Sequence, residues 1–519
     1  MSLSKLKISI NISRSRLIIV VATIFFLLVN GSFYKSIALS FPFVDEQYNF
    51  AIGKYLVNGE ILYDDIITNH QPITHILSAL VQQIRDPNTT FSLLVSHRTA
   101  VIIWSSIWSL LLVAYFGIGS FLFVVIYELT KSFMFGNLFL AEGIVVYPLL
   151  FVVGIVIYRK DLNRFTLTLL GISLALVFLT LGPIWPALGF LGLLLIFQLK
   201  NYSKKRLVYL VLGFLMVVIF AGKYTSIPDY MHVYLYINYV YTVPEYHSTY
   251  SRVSWAMIIF KAFATPLLSF IKTKASYVLW VIRISVLLLT VNVIYLIYRG
   301  RLIRVLTLLI LLGLSNIRFT DPGNSYTGGF HLLPWYSVLI FITMAISTEQ
   351  LRQKSSIFLK IIIVIIIIAS FFVSFKFAQN VFLRKDPQKE YTINYSTHTD
   401  IGQIVNIMKS PEDTLFVSPD AWLVYWQSNT HHVSKLFGYH PWMNGIPEFH
   451  KKIIESFNKN PPTFFYCDNC KGLDLEAFLY QYQEIKRNGG PTRLFVLPFR
   501  IGSQTKFQLD QLSFYNVSL

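Results

Sequence analysis

Apolar runs long enough to cross a bilayer recur along this chain, and short basic links separate many of them. A helix that spans hydrocarbon needs about 20 apolar residues, and runs of that order lie at 17–39, 99–117, 119–135, 143–158, 165–181, 185–199, 207–222, 277–298, 304–317, 331–347 and 357–376. The spacing predicts an α-helical polytopic membrane protein with about eleven transmembrane helices. The charged fraction of 13% and a mean hydropathy of +0.55 agree with that class.

A net charge of +18 raises the question of nucleic acid. The Lys and Arg residues form no patch and no strip interleaved with aromatics, so nucleic acid is excluded as a partner. They fall instead between spans, at Lys5 to Arg16, Arg159 to Arg164, Lys200 to Arg206, Tyr298 to Arg304 and Arg352 to Lys354. Loops rich in Lys and Arg stay in the cytoplasm. This pattern predicts a multi-pass plasma-membrane protein with a cytoplasmic N-terminus and a first run kept as an anchor, because no small-residue cleavage site follows it. The loop after the first span, a long loop at about 223–275, the link 318–330 and the tail after about Lys376 then face outward.

The first outward loop, at about 40–97, crowds acids between two apolar spans. Within FVDEQYNFAIGKYLVNGEILYDDIITNHQPITHIL, Asp45, Glu46, Asp64 and Asp65 would be costly in lipid. They belong at the membrane surface or in a wet cavity. Adjacent side chains point apart, so Asp45 and Glu46 are expected to do different jobs, Glu46 orienting the acceptor or a cationic residue. The competing reading is that both cap the helix that begins near Gln47, since an acid at a helix start satisfies free N–H groups.

The tail, 377–519, has ordinary soluble composition and reads as an extracytoplasmic α/β domain. Its expected strands are Thr414 to Ser418, Thr463 to Cys467 and Arg493 to Leu497, with helices at Pro447 to Phe457 and Leu473 to Gln483. Residues 1–376 make up the transmembrane domain. The two cysteines, Cys467 and Cys470, form a CxxC pair that lacks the second pair a zinc site needs. Incidental thiols or a surface disulfide are expected ahead of metal.

Asp45-Glu46, a downstream Gly59, Tyr63-Asp64 and then Pro72 opening a helix together resemble the first extracytoplasmic loop of GT-C superfamily membrane glycosyltransferases. The similarity is greatest to bacterial relatives of protein O-mannosyltransferases and aminoarabinose transferases. It covers about 35 residues with some specificity, and beyond them rests on topology, on Arg98 opening the second span and on the FHLLPWY segment (Phe330 to Tyr336). The resemblance implies transfer of a sugar from a polyprenyl-phosphate donor to an acceptor hydroxyl on a glycan, lipid or protein at the outer face, with inversion. Asp45 matches the family's catalytic acid position. A hydroxyl is a weak nucleophile, and a carboxylate within reach takes its proton as the new C–O bond forms.

With Asp45 and Glu46 as the catalytic pair, Tyr63 and Asp64 are expected to orient substrate. The chain departs from the aminoarabinose branch, which carries Glu-Lys-Pro-Pro where Asn69-His70-Gln71-Pro72 stands here, so a lysine contact to phosphate is not carried over. Arg318, His331 and His70 are the expected donor-phosphate ligands, with Lys261 and Lys272 second. No metal ligand set is assigned and no cofactor is required, although His70 with Asp64 and Asp65 leaves a divalent cation open. Two other classes compete. A transporter or flippase of lipid-linked sugars needs charges lining a path, for which Glu128, Lys131 and Glu142 are the candidates; a non-catalytic assembly subunit needs no acid pair at the membrane face.

Overall fold

The computed structural model describes residues 14–519 apart from 41–44, 159–161, 201, 245–254, 272–276, 317–328, 354–355, 383–386, 420, 437, 440 and 468–473. Arg318, Lys272, Cys470 and the side chain of Lys261 lie outside the described residues. Helices dominate: α1 (Arg14–Ser36), α2 (Glu46–Val57), α3 (Pro72–Arg85), α4 (Thr90–Phe116), α5 (Ile118–Thr130), α6 (Ala141–Tyr158), α7 (Arg164–Thr180), α8 (Trp185–Leu199) and α9 (Lys204–Gly222) follow in order. Further on come Trp255–Ile271, Tyr277–Tyr298, Leu302–Leu314, Leu333–Gln353 and Ile357–Phe382. Among the described residues seven helices are long and apolar enough to cross a membrane, and three shorter apolar ones run Arg164–Thr180, Arg206–Gly222 and Leu302–Leu314. The protein is a multi-pass membrane protein.

Two sequence expectations change. The run 119–135 yields only the 13 residues of α5, because a 3-10 turn at Lys131–Met134 and a left-handed Phe135 end it. That helix is about 20 Å long. The stretch expected as a loop at 223–275 contains a π-helix, Tyr230–Thr242, and the helix Trp255–Ile271. Its residues are aromatic and apolar rather than polar, so they gain more by packing than by solvation: the rings of Tyr230 and Tyr234 stack 5.3 Å apart.

Between α1 and α4 the first loop folds back on itself. Pro72 opens α3 at a position where its missing N–H costs nothing. Asp86, in left-handed geometry, ends the helix. Thr89 and Ser92 then start α4 with a reciprocal capping box. At the crossing of α2 and α3, a Cβ on Gly53 would sit 2.4 Å from Ser78 Oγ, so only glycine allows this approach.

The C-terminal α/β domain, called the outward domain only after the face the basic links predict for it, builds its sheet after the helix Pro387–Met408. It is a six-stranded mixed sheet: β1 (Thr414–Ser418), β2 (His431–His432), β3 (Phe464–Cys467), β4 (Gln483–Arg487), β5 (Gly490–Val496) and β6 (Val517–Ser518), in the order β2-β1-β3-β5-β4-β6. The first three strands are parallel and the rest antiparallel. The helix Pro447–Lys459 buries Phe449, Ile453 and Phe457, a four-residue spacing that puts one face on the sheet. Phe457 meets Phe416 and Phe465 at 5.1 and 5.5 Å. Expected and observed elements agree here except at 473–483, where a 3-10 helix, Asp474–Gln481, stands in place of an α-helix. Cys467 closes β3 in a disulfide.

The apolar cores are not divided as the chain is. One fills the helical bundle. A second runs without interruption from Ile52, Tyr55, Leu62, Ile66 and Ile76 of the first loop into Ile404, Phe416, Val417, Tyr425 and Leu436 of the outward domain.

Candidate active site

The site is built where α2 begins. Asp45 is its N-cap residue, exposed, with φ −55° and ψ 0° and no side-chain cap hydrogen bond. That geometry does not support the capping reading for Asp45. Glu46 is 0% exposed and turned the other way. Its Oε1 accepts from Arg98 Nε at 3.0 Å and from Arg98 Nη2, and its Oε2 accepts from the Phe139 N–H at 3.1 Å. Arg98, on α4 and 1% exposed, also donates to the Ala38 carbonyl. The sequence pairs Asp45 and Glu46 as catalytic residues; in the fold Glu46 is an anchor that ties α2 to α4 and to the turn before α6. Asn49 adds a bond to the Phe139 carbonyl at 3.4 Å. A permanently charged guanidinium in an apolar helix needs a carboxylate partner, so Arg98 itself was the sequence signal for this role of Glu46.

Beside Asp45, the second face of α2 meets the start of α3. Tyr48 packs edge-on against His70 at 5.2 Å, His75 at 5.6 Å and Trp422 of the outward domain at 4.8 Å. Burial pushes the Tyr48 phenol up to about 12. Burial, and then the neighbouring His70, hold the His75 imidazole well below its ordinary value, so it is neutral at pH 7. Several buried polar atoms here have no protein hydrogen-bond partner: Gln47 Oε1, Gln71 Nε2, Thr74 Oγ1 and His75 Nδ1. Buried polar atoms are normally satisfied, so this cluster fits a polar group or water held between α2 and α3. Nothing in the sequence pattern singled out Gln47, Gln71, Thr74 or His75.

The other expected residues fall as follows. Tyr63 is 2% exposed, has φ 69°, donates to the His70 carbonyl at 2.7 Å and packs on Tyr230 and Tyr234. It shapes the turn that carries His70. Asp64 pairs with Lys435 of the outward domain at 2.9 Å, both half-exposed, while Asp65 accepts from the Ile61 N–H at 2.9 Å. Tyr63 and Asp64 therefore help to hold the loop. Among the described residues no three His, Cys, Asp or Glu side chains gather to hold a metal ion. His331 opens its span, with Nδ1 2.7 Å from Glu142 Oε1.

The charges considered for a transport path are closed off. Glu128 and Lys131 are 2% and 1% exposed and pair at 2.7 Å, with Tyr147 bridging both. Glu142 is held by His331.

Fold and site together define a polytopic helical membrane protein whose acid-led first loop packs against a C-terminal α/β domain. No family model and no curated relative matches the sequence. Two solved structures are similar in fold. One is the crystal structure of ArnT from Cupriavidus metallidurans in the apo state, with a TM-score of 0.48 and 9% identity over 92% of this chain and 98% of that one. The other is the same protein bound to undecaprenyl phosphate, with a TM-score of 0.48 and 11% identity over 92% of this chain and 97% of that one.

Proposed function

We propose that the protein is an integral-membrane glycosyltransferase that moves a sugar from a polyprenyl-phosphate donor to an acceptor hydroxyl at the outer membrane face, with inversion and with Asp45 as general base. The observation that carries this reading is the splitting of an adjacent acid pair. Glu46 is buried and neutralised by Arg98, whereas Asp45 stands exposed at the head of the same rigid helix. A base needs a fixed backbone and a position that substrate can reach, and an exposed residue at the head of a helix anchored to α4 supports both.

The acceptor hydroxyl gives its proton to Asp45 as its oxygen bonds to the anomeric carbon. The bond from that carbon to the phosphate oxygen breaks, and the lipid phosphate leaves with the electron pair. Growing charge on the phosphate needs placed donors. Arg318, His331 and His70 remain the proposed ligands, joined by Gln71 at the start of α3, whose buried Nε2 has no protein acceptor. The closed Glu128–Lys131 pair favours a transferase over a flippase, because it lines no open path.

The test is transfer from a defined polyprenyl-phosphate sugar by purified protein in membranes. Asp45→Asn should lower turnover by a factor on the order of 10² to 10⁴, the usual contribution of general-base catalysis, with folding intact. Mass spectrometry of envelope glycolipids, polysaccharides and glycoproteins with and without the protein should then identify the sugar and the acceptor. Near-normal turnover in folded Asp45→Asn would refute the assignment.

A further inference from the structure

The outward domain carries a second site that the transfer chemistry does not use. A cavity of about 560 Å³ opens between the helices Pro387–Met408 and Lys506–Phe514, a size within the roughly 300–1,000 Å³ of small-ligand pockets. Its lining is unusual in having no carboxylate. Gln403 and Asn406 face it from the first helix, and Phe507, Gln508 and Gln511 from the second, with Tyr515 at the end. The single cation, Lys409, is already engaged: its ammonium donates to the carbonyls of Ser428 and Asn429, the latter at 2.6 Å.

These groups select a ligand by chemistry. With no charge to spare, the cleft has little to offer an anion or a cation. Side-chain amides present a donor and an acceptor side by side, the pattern that vicinal hydroxyls match. Gln508 is locked as a floor, since its Oε1 accepts from the Thr505 N–H at 2.9 Å and its Nε2 donates to the Ile407 carbonyl at 2.8 Å. Phe507 is 69% exposed, an apolar ring left in water at the edge of a polar cleft. It offers a flat face for the C–H side of a sugar ring.

We propose that this cleft binds a neutral glycan, through stacking on Phe507 and amide hydrogen bonds from Gln403, Asn406 and Gln511, and that it holds a remote segment of a saccharide acceptor. The second clause rests on the transferase reading above; the first does not. Lys409 ties the cleft helix to the end of Leu423–Ser428, where the Trp426 carbonyl accepts from Lys54 of α2 at 3.4 Å and the Trp426 indole donates to Gln82 of α3 at 2.9 Å. An acceptor chain held in the cleft is thereby fixed relative to the loop that carries Asp45.

The test uses the full chain in nanodiscs, titrated with maltoheptaose, cellohexaose, chitohexaose and a Ser/Thr-rich peptide. Saturable binding of at least one oligosaccharide is expected, weakened about tenfold or more by Phe507→Ala and by Gln511→Ala, both exposed positions where the fold loses little. Asp45→Asn should leave this binding unchanged. In transfer assays Phe507→Ala should raise the apparent KM for an oligosaccharide acceptor and leave transfer to a one-sugar acceptor intact. Absence of saturable sugar binding, binding indifferent to both cleft substitutions, or binding of the peptide alone would each overturn the assignment. Loss of transfer with sugar binding preserved would count against the transferase reading and not against the cleft.

Discussion

The buried pair of Glu46 and Arg98 allows stability and chemistry at two adjacent acids to be separated. Glu46→Gln keeps the size of the side chain and one oxygen, which if left on Arg98 turns the NH2 toward the Phe139 N–H, and it strips the negative charge from beside a guanidinium that is 1% exposed. Removing one partner of a buried ion pair costs about 3–5 kcal/mol, because the other charge is left in a poor solvent. The lower end of that range applies here, since the amide oxygen still accepts one bond from Arg98 and the Ala38 carbonyl accepts another. Glu46→Gln should therefore cost about 3 kcal/mol. Asp45→Asn, at an exposed position without a cap bond, should change stability by less than about 0.5 kcal/mol.

The assay is paired. Thermal inactivation in detergent, followed by size exclusion, reports the fold, and transfer from a polyprenyl-phosphate sugar at low temperature reports chemistry. Glu46→Gln should melt early yet turn over when folded, while Asp45→Asn should melt normally and stay inactive. Glu46→Leu combined with Arg98→Met should recover much of the lost stability, as apolar replacements of whole buried pairs often do. Equal thermal stability for Glu46→Gln and the parent, with transfer lost, would show that Glu46 acts in the chemistry and that the anchoring argument is wrong.

Four other outcomes follow from the same structure. A reporter fused after Leu199 should read cytoplasmic and one after Lys376 outside, as the basic links require; a cytoplasmic tail would also conflict with the disulfide at Cys467, which persists only in an oxidising compartment. Arg318→Ala should weaken use of the donor more than His70→Ala, seen as a higher donor KM, because a planar permanent cation suits phosphate better than imidazole. His75 is held neutral by burial, so the unfolded chain binds a proton there that the native chain refuses; its stabilising contribution is complete above about pH 6.5 and falls as pH drops below that value, by up to about 1.4 kcal/mol per unit. His75→Gln should flatten that part of the stability profile. Gly438→Ala would place a Cβ 1.9 Å from Trp422, and should loosen the outward domain from α2, measured as faster protease cleavage between them.

Much of this was legible in the sequence, for reasons particular residues make plain. Apolar runs fix helices because length and composition suffice, and β1 was readable to the residue because Thr414 to Ser418 is a short β-branched and aromatic run. Asp45 and Arg98 stood out because charge near lipid demands a reason. Which carboxylate Arg98 takes did not, since 52 residues separate it from Glu46 and no local spacing encodes that contact. The π-helix was hidden for a different cause: no alternation of apolar and polar positions marks its five-residue repeat, at which Tyr234 meets Tyr239 and Tyr236 meets Tyr241 edge-on. Glu60 with His432 at 2.7 Å, and Asp64 with Lys435, were equally unreadable, being pairs made across about 370 residues of chain.

Those distant pairs change what the boundary near 376 means. Tyr55 donates to the Thr430 carbonyl at 2.6 Å, the Ile67 N–H to the Lys435 carbonyl at 2.7 Å and Trp426 to Gln82 at 2.9 Å. Side chains from both segments fill one apolar core. The sequence places a boundary near 376, yet the first loop shares its larger core with the outward domain while Glu46 and Ser78 bind it to α4. A loop held only by its two spans would leave Asp45 to wander, and general-base catalysis loses its advantage when the base moves by an ångström. Clamped between Arg98 below and Trp422 above, α2 gives its leading carboxylate a fixed address, which makes the outward domain part of the site even though none of its residues is proposed to touch the reacting atoms.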